Sequence, residues 1–177
     1  MNNHTWNLVS PKPKQKVINY KWGFKVKLKP NGSVERYKAC LVAKGFHQTH
    51  GLDYFETFSP VVKSMTVRIM LSLALTFSWS LKQLDVYNAF LNVDLAEDVF
   101  IEQPTGFISF TAPTHVCKFN KSLYGLKQSP RASYNKLSSC LFQWGFSSSK
   151  SDTSVLICWT SYWTSFFSSF AHLFALW

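Results

Sequence analysis

The chain has 177 residues, 46% of them hydrophobic and 17% aromatic, with 19 Lys and Arg against 9 Asp and Glu for a formal charge of +10. This composition excludes a disordered polar chain and a collagen-like one, and the length allows a core without disulfide or metal staples. Cys40, Cys117, Cys140 and Cys158 form no C-x-x-C pair, which argues against zinc ribbons and redox dithiols and favours a reducing, intracellular setting.

The charge is unevenly placed. Residues 1–50 hold ten Lys/Arg and one acid, residues 51–100 hold three and six, and residues 101–177 hold six and two. A basic first third followed by an acidic middle points to a polyanion partner gripped beside a carboxylate site. The N-terminus shows no basic run followed by an apolar run, so no secretory signal is expected.

In chain order, Phe24-Lys25-Val26-Lys27-Leu28-Lys29 alternates with period two, giving an apolar face and an all-lysine wet face. Pro30-Asn31-Gly32-Ser33 supplies a tight turn and Val34 to Lys38 resumes the alternation, so residues 22–44 are expected to form a basic β-hairpin. From Ser64 to Ser78, Met65, Ile69, Leu73 and Phe77 recur every four residues beside Val67, Met70, Leu71 and Ala74, which predicts a mostly buried helix with Ser64 able to cap it. Trp79 to Val86 reads as a core strand ending in an acid, Asn88 to Asp98 as a turn region, Val99 to Ile101 and His115 to Phe119 as short strands. Ser129-Pro130 starts a second helix with Ser as N-cap, with Tyr134, Leu137, Leu141 and Trp144 as its buried stripe, stopping at Gly145. Interspersed strands and helices without a βαβ rhythm predict an α+β fold.

Thr153 to Trp177 contains no Asp, Glu, Lys or Arg and is rich in Trp, Phe and Ser. Its length would cross a bilayer, but its many hydroxyls and the lack of a basic flank argue against that, so no membrane partner is expected. A buried strand at Val155-Leu156-Ile157 followed by a divergent tail over residues 158–177 is the expectation.

Asp85, at the end of an apolar strand, stands out as a candidate metal-binding carboxylate. A lysine-faced hairpin precedes it, and Lys127 and Arg131 flank a helix start whose N–H groups favour anions. Together they outline a phosphate-and-metal site.

The run Val34-Glu35-Arg36-Tyr37-Lys38-Ala39-Cys40-Leu41-Val42-Ala43-Lys44-Gly45-Phe46-His47-Gln48 and the run Gly51-Leu52-Asp53-Tyr54-Phe55-Glu56-Thr57-Phe58-Ser59-Pro60 resemble the reverse transcriptase of copia-type LTR retrotransposons. Gln83-Leu84-Asp85-Val86-Tyr87-Asn88-Ala89-Phe90-Leu91 and Lys121-Ser122-Leu123-Tyr124-Gly125-Leu126-Lys127-Gln128-Ser129-Pro130-Arg131 extend the resemblance, which runs from about Thr5 to Leu156.

The resemblance implies the fingers and part of the palm of a right-hand polymerase over residues 1–157, with RNA or DNA template-primer and deoxynucleoside triphosphates as partners. It implies that the hairpin closes over the incoming nucleotide with Arg36, Lys38 and Lys44 on phosphate, and that Asp85 holds two Mg2+ ions with the backbone carbonyl of Val86. Phe90 matches the aromatic ring set against the sugar, Tyr124 a stacking face and Lys127 a phosphate contact. Asp53 and Glu56 are expected only to position the hairpin.

Departures accompany the match. Family members continue past the position of Asp152 into Tyr-Val-Asp-Asp, whose aspartates complete the metal site, and no acid follows Asp152 here. Asp94, Glu97 and Asp98 match no family ligand. Cys40, Val93 and Ser133 replace the family's usual Arg, Gly and Trp. The expected function is therefore a reverse transcriptase fragment inactive as it stands, with a basic nucleic-acid-binding remnant or a non-functional pseudogene product as the alternatives.

Overall fold

The hairpin expected over residues 22–44 forms, from Tyr20 to Ala43. In the computed structural model, which describes residues 4–83 and 86–158, β2 (Tyr20–Leu28) and β3 (Val34–Ala43) form an antiparallel ribbon. Gly32 takes φ +81° in the turn, the Gly32 N–H donates to the Lys29 carbonyl, and Asn31 Oδ1 accepts from Ser33 N–H and Oγ. Glycine meets a positive φ here that a Cβ would oppose.

The ribbon belongs to the first of two compact units, residues 1–57 with 88–133. Its other sheet has the order β1 (Trp6–Val9), β5 (Val116–Lys121), β4 (Asp94–Glu102), all antiparallel. Trp6 stands opposite Phe119 with ring centroids 5.4 Å apart, and Ile18 bridges the outer edge of β4 at Ile101. Ile18, Leu41, Ala43, Val99, Ile101, Cys117, Phe119, Leu123 and Leu126 make the core, with Trp22 and Leu95 packed on it. Burial pushes the Cys117 thiol up to about 11, so it is an inert filler.

The expected turn region from Asn88 to Asp98 is corrected. A 3₁₀ turn occupies Ala89–Asn92, and Asp94, Glu97 and Asp98 lie in β4. The outward acids are held across the sheet, Asp94 by Lys121 and Asp98 by Lys118. Val93 is buried with φ −112°, ordinary extended backbone that needs no glycine.

The second unit comprises residues 58–87 with 134–177. The helix α1 (Ser64–Thr76) forms where the four-residue period places it, but Lys63 is its cap and no side chain caps it. It is not mostly buried: only Ala74 is buried, whereas Met65, Ile69, Leu71, Leu73 and Leu75 are exposed. Periodicity marks an apolar stripe without supplying a cover for it. The expected strand from Trp79 is absent over the described residues to Gln83 and at Val86, while Leu84 and Asp85 lie outside them.

The second helix, α2 (Ser129–Gln143), starts in the first unit and ends in the second, with Gly145 at φ +88° beyond its C-terminus. Ser129 is its first residue, and its Oγ accepts from Ser122 Oγ and donates to the Leu123 carbonyl. Short strands β6 (Ser147–Ser148) and β7 (Leu156–Ile157) pair in the second unit, with Val155 and Leu156 buried as expected. Residues 159–177, nearly all of the divergent tail, lie outside the described residues. Among the described residues no helix is long and apolar enough to cross a membrane.

Candidate nucleic-acid and nucleotide site

Directly opposed residues of an antiparallel pair share a face, so register decides which cations stand together. Lys25 pairs with Lys38 and Lys27 with Arg36, which puts four cations side by side on one face of the ribbon. Like charges in opposition disfavour the free ribbon, and none of the four forms an ion pair among the described residues. Such a face suits a polyanion. The sequence reading named Arg36 and Lys38 as phosphate contacts and put Lys25 and Lys27 on the wet face of β2; the register sets the four side by side.

At the base of the ribbon, β3 runs into the loop carrying Tyr124. The Ala43 N–H donates to the Tyr124 carbonyl, and Gly125, at φ +89°, lies so close that a Cβ would stand 2.1 Å from the Ala43 oxygen. A Cβ on Gly45 would stand 2.0 Å from the Gly125 oxygen. These two glycines let two backbone segments touch. Lys44, half-buried between Ala43 and Gly45, donates its N–H to the Asn19 carbonyl.

Buried amides hold the junction. Gln48 Nε2 donates to Gln128 Oε1 at 2.9 Å, Gln48 Oε1 accepts from the Lys127 N–H at 2.8 Å, and Gln128 Nε2 donates to the Asp53 carbonyl at 3.1 Å. The Asp53 carboxylate accepts from Thr49 N–H and Lys16 Nζ, each at 2.7 Å, and Glu56 pairs with Arg131. Asp53 and Glu56 thus pin the loop that follows β3. Sequence reasoning missed Gln48 and Gln128, whose partnership spans the chain and leaves no local pattern.

Phe90, on the 3₁₀ turn, meets Tyr124 edge to face, with ring centroids 4.6 Å apart and planes at 85°. Two of the expected nucleotide contacts are therefore brought together. The Lys127 ammonium turns toward Tyr54, 3.2 Å from its hydroxyl and 4.9 Å from its ring centre, and lies 3.4 Å from the Gln48 carbonyl. Val86 is exposed in the second unit, and Asp85 lies outside the described residues.

Among the described residues no cluster of three His, Cys, Asp or Glu residues stands ready for a metal ion, and Asp94 and Asp98 are already engaged by lysines.

The family described as "Reverse transcriptase (RNA-dependent DNA polymerase)" matches residues 3–161. The chain belongs to the reverse transcriptase family. It is 52% identical over 156 residues to the "Retrovirus-related Pol polyprotein from transposon RE1" of Arabidopsis thaliana, covering 88% of this chain and 11% of that protein. The corresponding polyprotein from transposon RE2 of the same plant is 49% identical over the same shares. That from transposon TNT 1-94 of Nicotiana tabacum is 44% identical, covering 86% of this chain and 12% of that protein. The chain thus spans about a ninth of the length of these curated relatives, and they place this reverse transcriptase segment among copia-type retrotransposon Pol polyproteins. No solved structure matches it.

Proposed function

We propose that residues 1–157 are the fingers and partial palm of a reverse transcriptase that hold template-primer and a deoxynucleoside triphosphate without polymerising them. The observation that carries this reading is the ribbon face on which Lys25, Lys27, Arg36 and Lys38 stand unneutralised among the described residues. Phosphates would lie along that face, while Phe90 and Tyr124 form an aromatic corner in the same unit for sugar and base. Lys44 joins the phosphate contacts from the end of β3, and Lys127 does so on leaving Tyr54. Asp85 and the Val86 carbonyl are the metal contacts proposed, and one carboxylate is too few for the two cations that nucleotidyl transfer uses. The setting proposed is intracellular.

Two measurements test the reading. Binding of a fluorescent oligonucleotide should weaken with salt; engaging four phosphates on a single strand gives a log–log slope of about −3. Lys25→Gln with Lys38→Gln should reduce that slope by about half. Absence of binding at low salt, or binding indifferent to salt, overturns the nucleic-acid reading. Templated primer extension with magnesium and deoxynucleotides should give no product, and any incorporation abolished by Asp85→Asn refutes the inactivity.

A further inference from the structure

The ribbon has a second face that the cationic grip does not use. Trp22, Phe24, Val26 and Leu28 of β2 share it with Leu41, Ala39, Tyr37 and Val34 of β3. Near the base this face enters the core through Leu41 and half-buried Trp22, but beyond them it is uncovered: Phe24 is 77% and Tyr37 79% exposed. The rings form a row. Trp22 stacks on Phe24 with centroids 6.3 Å apart and planes at 21°, Phe107 lies 6.0 Å from Trp22, and Tyr37 sits diagonally across from Phe24.

The chemistry of the ribbon selects what covers this row. Between Tyr20 and Lys38 lie Lys21, Lys25, Lys27, Lys29, Arg36 and Lys38 against a single acid, Glu35. A second copy docked on the face would bring two such cationic ribbons together, which like-charge repulsion opposes. A polyanion bearing flat rings satisfies both features, since every base offers a π-face to an aromatic side chain. Spacing narrows the form. Trp22 and Phe24 are alternate residues of β2, a step of about 6.8 Å, and Phe24 and Tyr37 are a diagonal cross-strand pair about 7–8 Å apart, each about twice the about 3.4 Å per nucleotide of a stacked strand. The row therefore suits bases of an extended, unstacked single strand rather than those of a duplex.

We infer that Phe24 and Tyr37 form a base-stacking platform for single-stranded nucleic acid on the face opposite the cations. The inference rests on the nucleic-acid reading above. It gives the ribbon two roles, phosphate attraction on one side and base contact on the other, reached by a strand that crosses its edge.

The test compares an oligothymidylate with an abasic strand of equal length, each binding the full chain at one fixed salt concentration. The wild type should prefer the base-bearing strand by about tenfold. Phe24→Ser with Tyr37→Ser should bind both strands alike, while Phe24→Tyr with Tyr37→Phe should keep the preference. Both positions are exposed, and circular dichroism checks that the variants remain folded. Lys25→Gln with Lys38→Gln should weaken both strands equally. A preference that survives loss of both rings overturns the platform. Equal, salt-sensitive binding of the two strands by the wild type overturns it while leaving the cationic grip standing. Dimerisation that disappears in the serine variant, with its strand preference intact, assigns the face to a second copy instead. Failure to bind any strand refutes the platform and the nucleic-acid reading together.

Discussion

A methyl group added at Gly125 would stand 2.1 Å from the Ala43 oxygen and 2.8 Å from Val42 Cγ1, in backbone held at φ +89°. Strain of the left-handed conformation and overpacking act together there, so Gly125→Ala should destabilise the protein by about 3 kcal/mol or more. Gly32, at φ +81° with open space around it, lacks the second effect, and Gly32→Ala should cost about 1 kcal/mol. Urea unfolding of both variants measures the difference, and equal losses would sink the close-approach account. The sequence displays Gly125 inside a recognisable block, yet nothing local says that Gly45 is its counterpart or that Gln48 meets Gln128. Contacts between segments far apart in the chain leave no periodicity to read. Asp85 was legible as a residue type at a strand end, but the described residues flanking it form no strand.

At the level of elements, legibility follows how local the cause is. The ribbon announces itself through alternation and Pro30-Asn31-Gly32-Ser33, and α2 through Pro130 and Gly145, because the deciding residues are neighbours. Val99 to Ile101 was read as a strand, but the first part of β4 was misread because Asp94, Glu97 and Asp98 look like a turn; two of these acids are instead held by Lys121 and Lys118 of β5. Four-residue β1 is too short to show a period and is held by β5. In the second unit, Asp152 ties the turn before β7 to α1. Its carboxylate accepts from Ser154 Oγ at 2.5 Å and N–H at 3.1 Å, and from Thr66 Oγ1 at 2.7 Å. These bonds, Ser154 first, lower its pKa from 3.8 to about 2. A depressed native value means the unfolded chain takes up the proton first, so this stabilisation is full above about 3.8 and fades as pH falls toward 2. Asp152→Asn should therefore unfold more easily than wild type at pH 6, and the gap should close near pH 2. A gap independent of pH would show that the carboxylate charge is not what ties the turn.

On the scale of the whole molecule, the chain builds its units from interleaved stretches, residues 1–57 with 88–133 and 58–87 with 134–177. A reading that moves along the sequence does not pair stretches so far apart, because their contacts leave no local pattern. The charge asymmetry was plain from the start, whereas the register that opposes Lys25 to Lys38 and Lys27 to Arg36 required the fold. That opposition has a thermodynamic consequence. The empty ribbon resembles a compressed spring: each facing pair works against the hairpin that creates it, by a few tenths to about 1 kcal/mol. Bulk ions relax the spring by screening, and a phosphate backbone relaxes it by neutralisation. Added salt should therefore raise the thermal midpoint by a few degrees while it drives oligonucleotide off the same face. Differential scanning fluorimetry and anisotropy, run over one salt series, should trend in opposite directions. In Lys25→Gln with Lys38→Gln, one of the two springs is gone, and the melting curve should lose much of its response to salt.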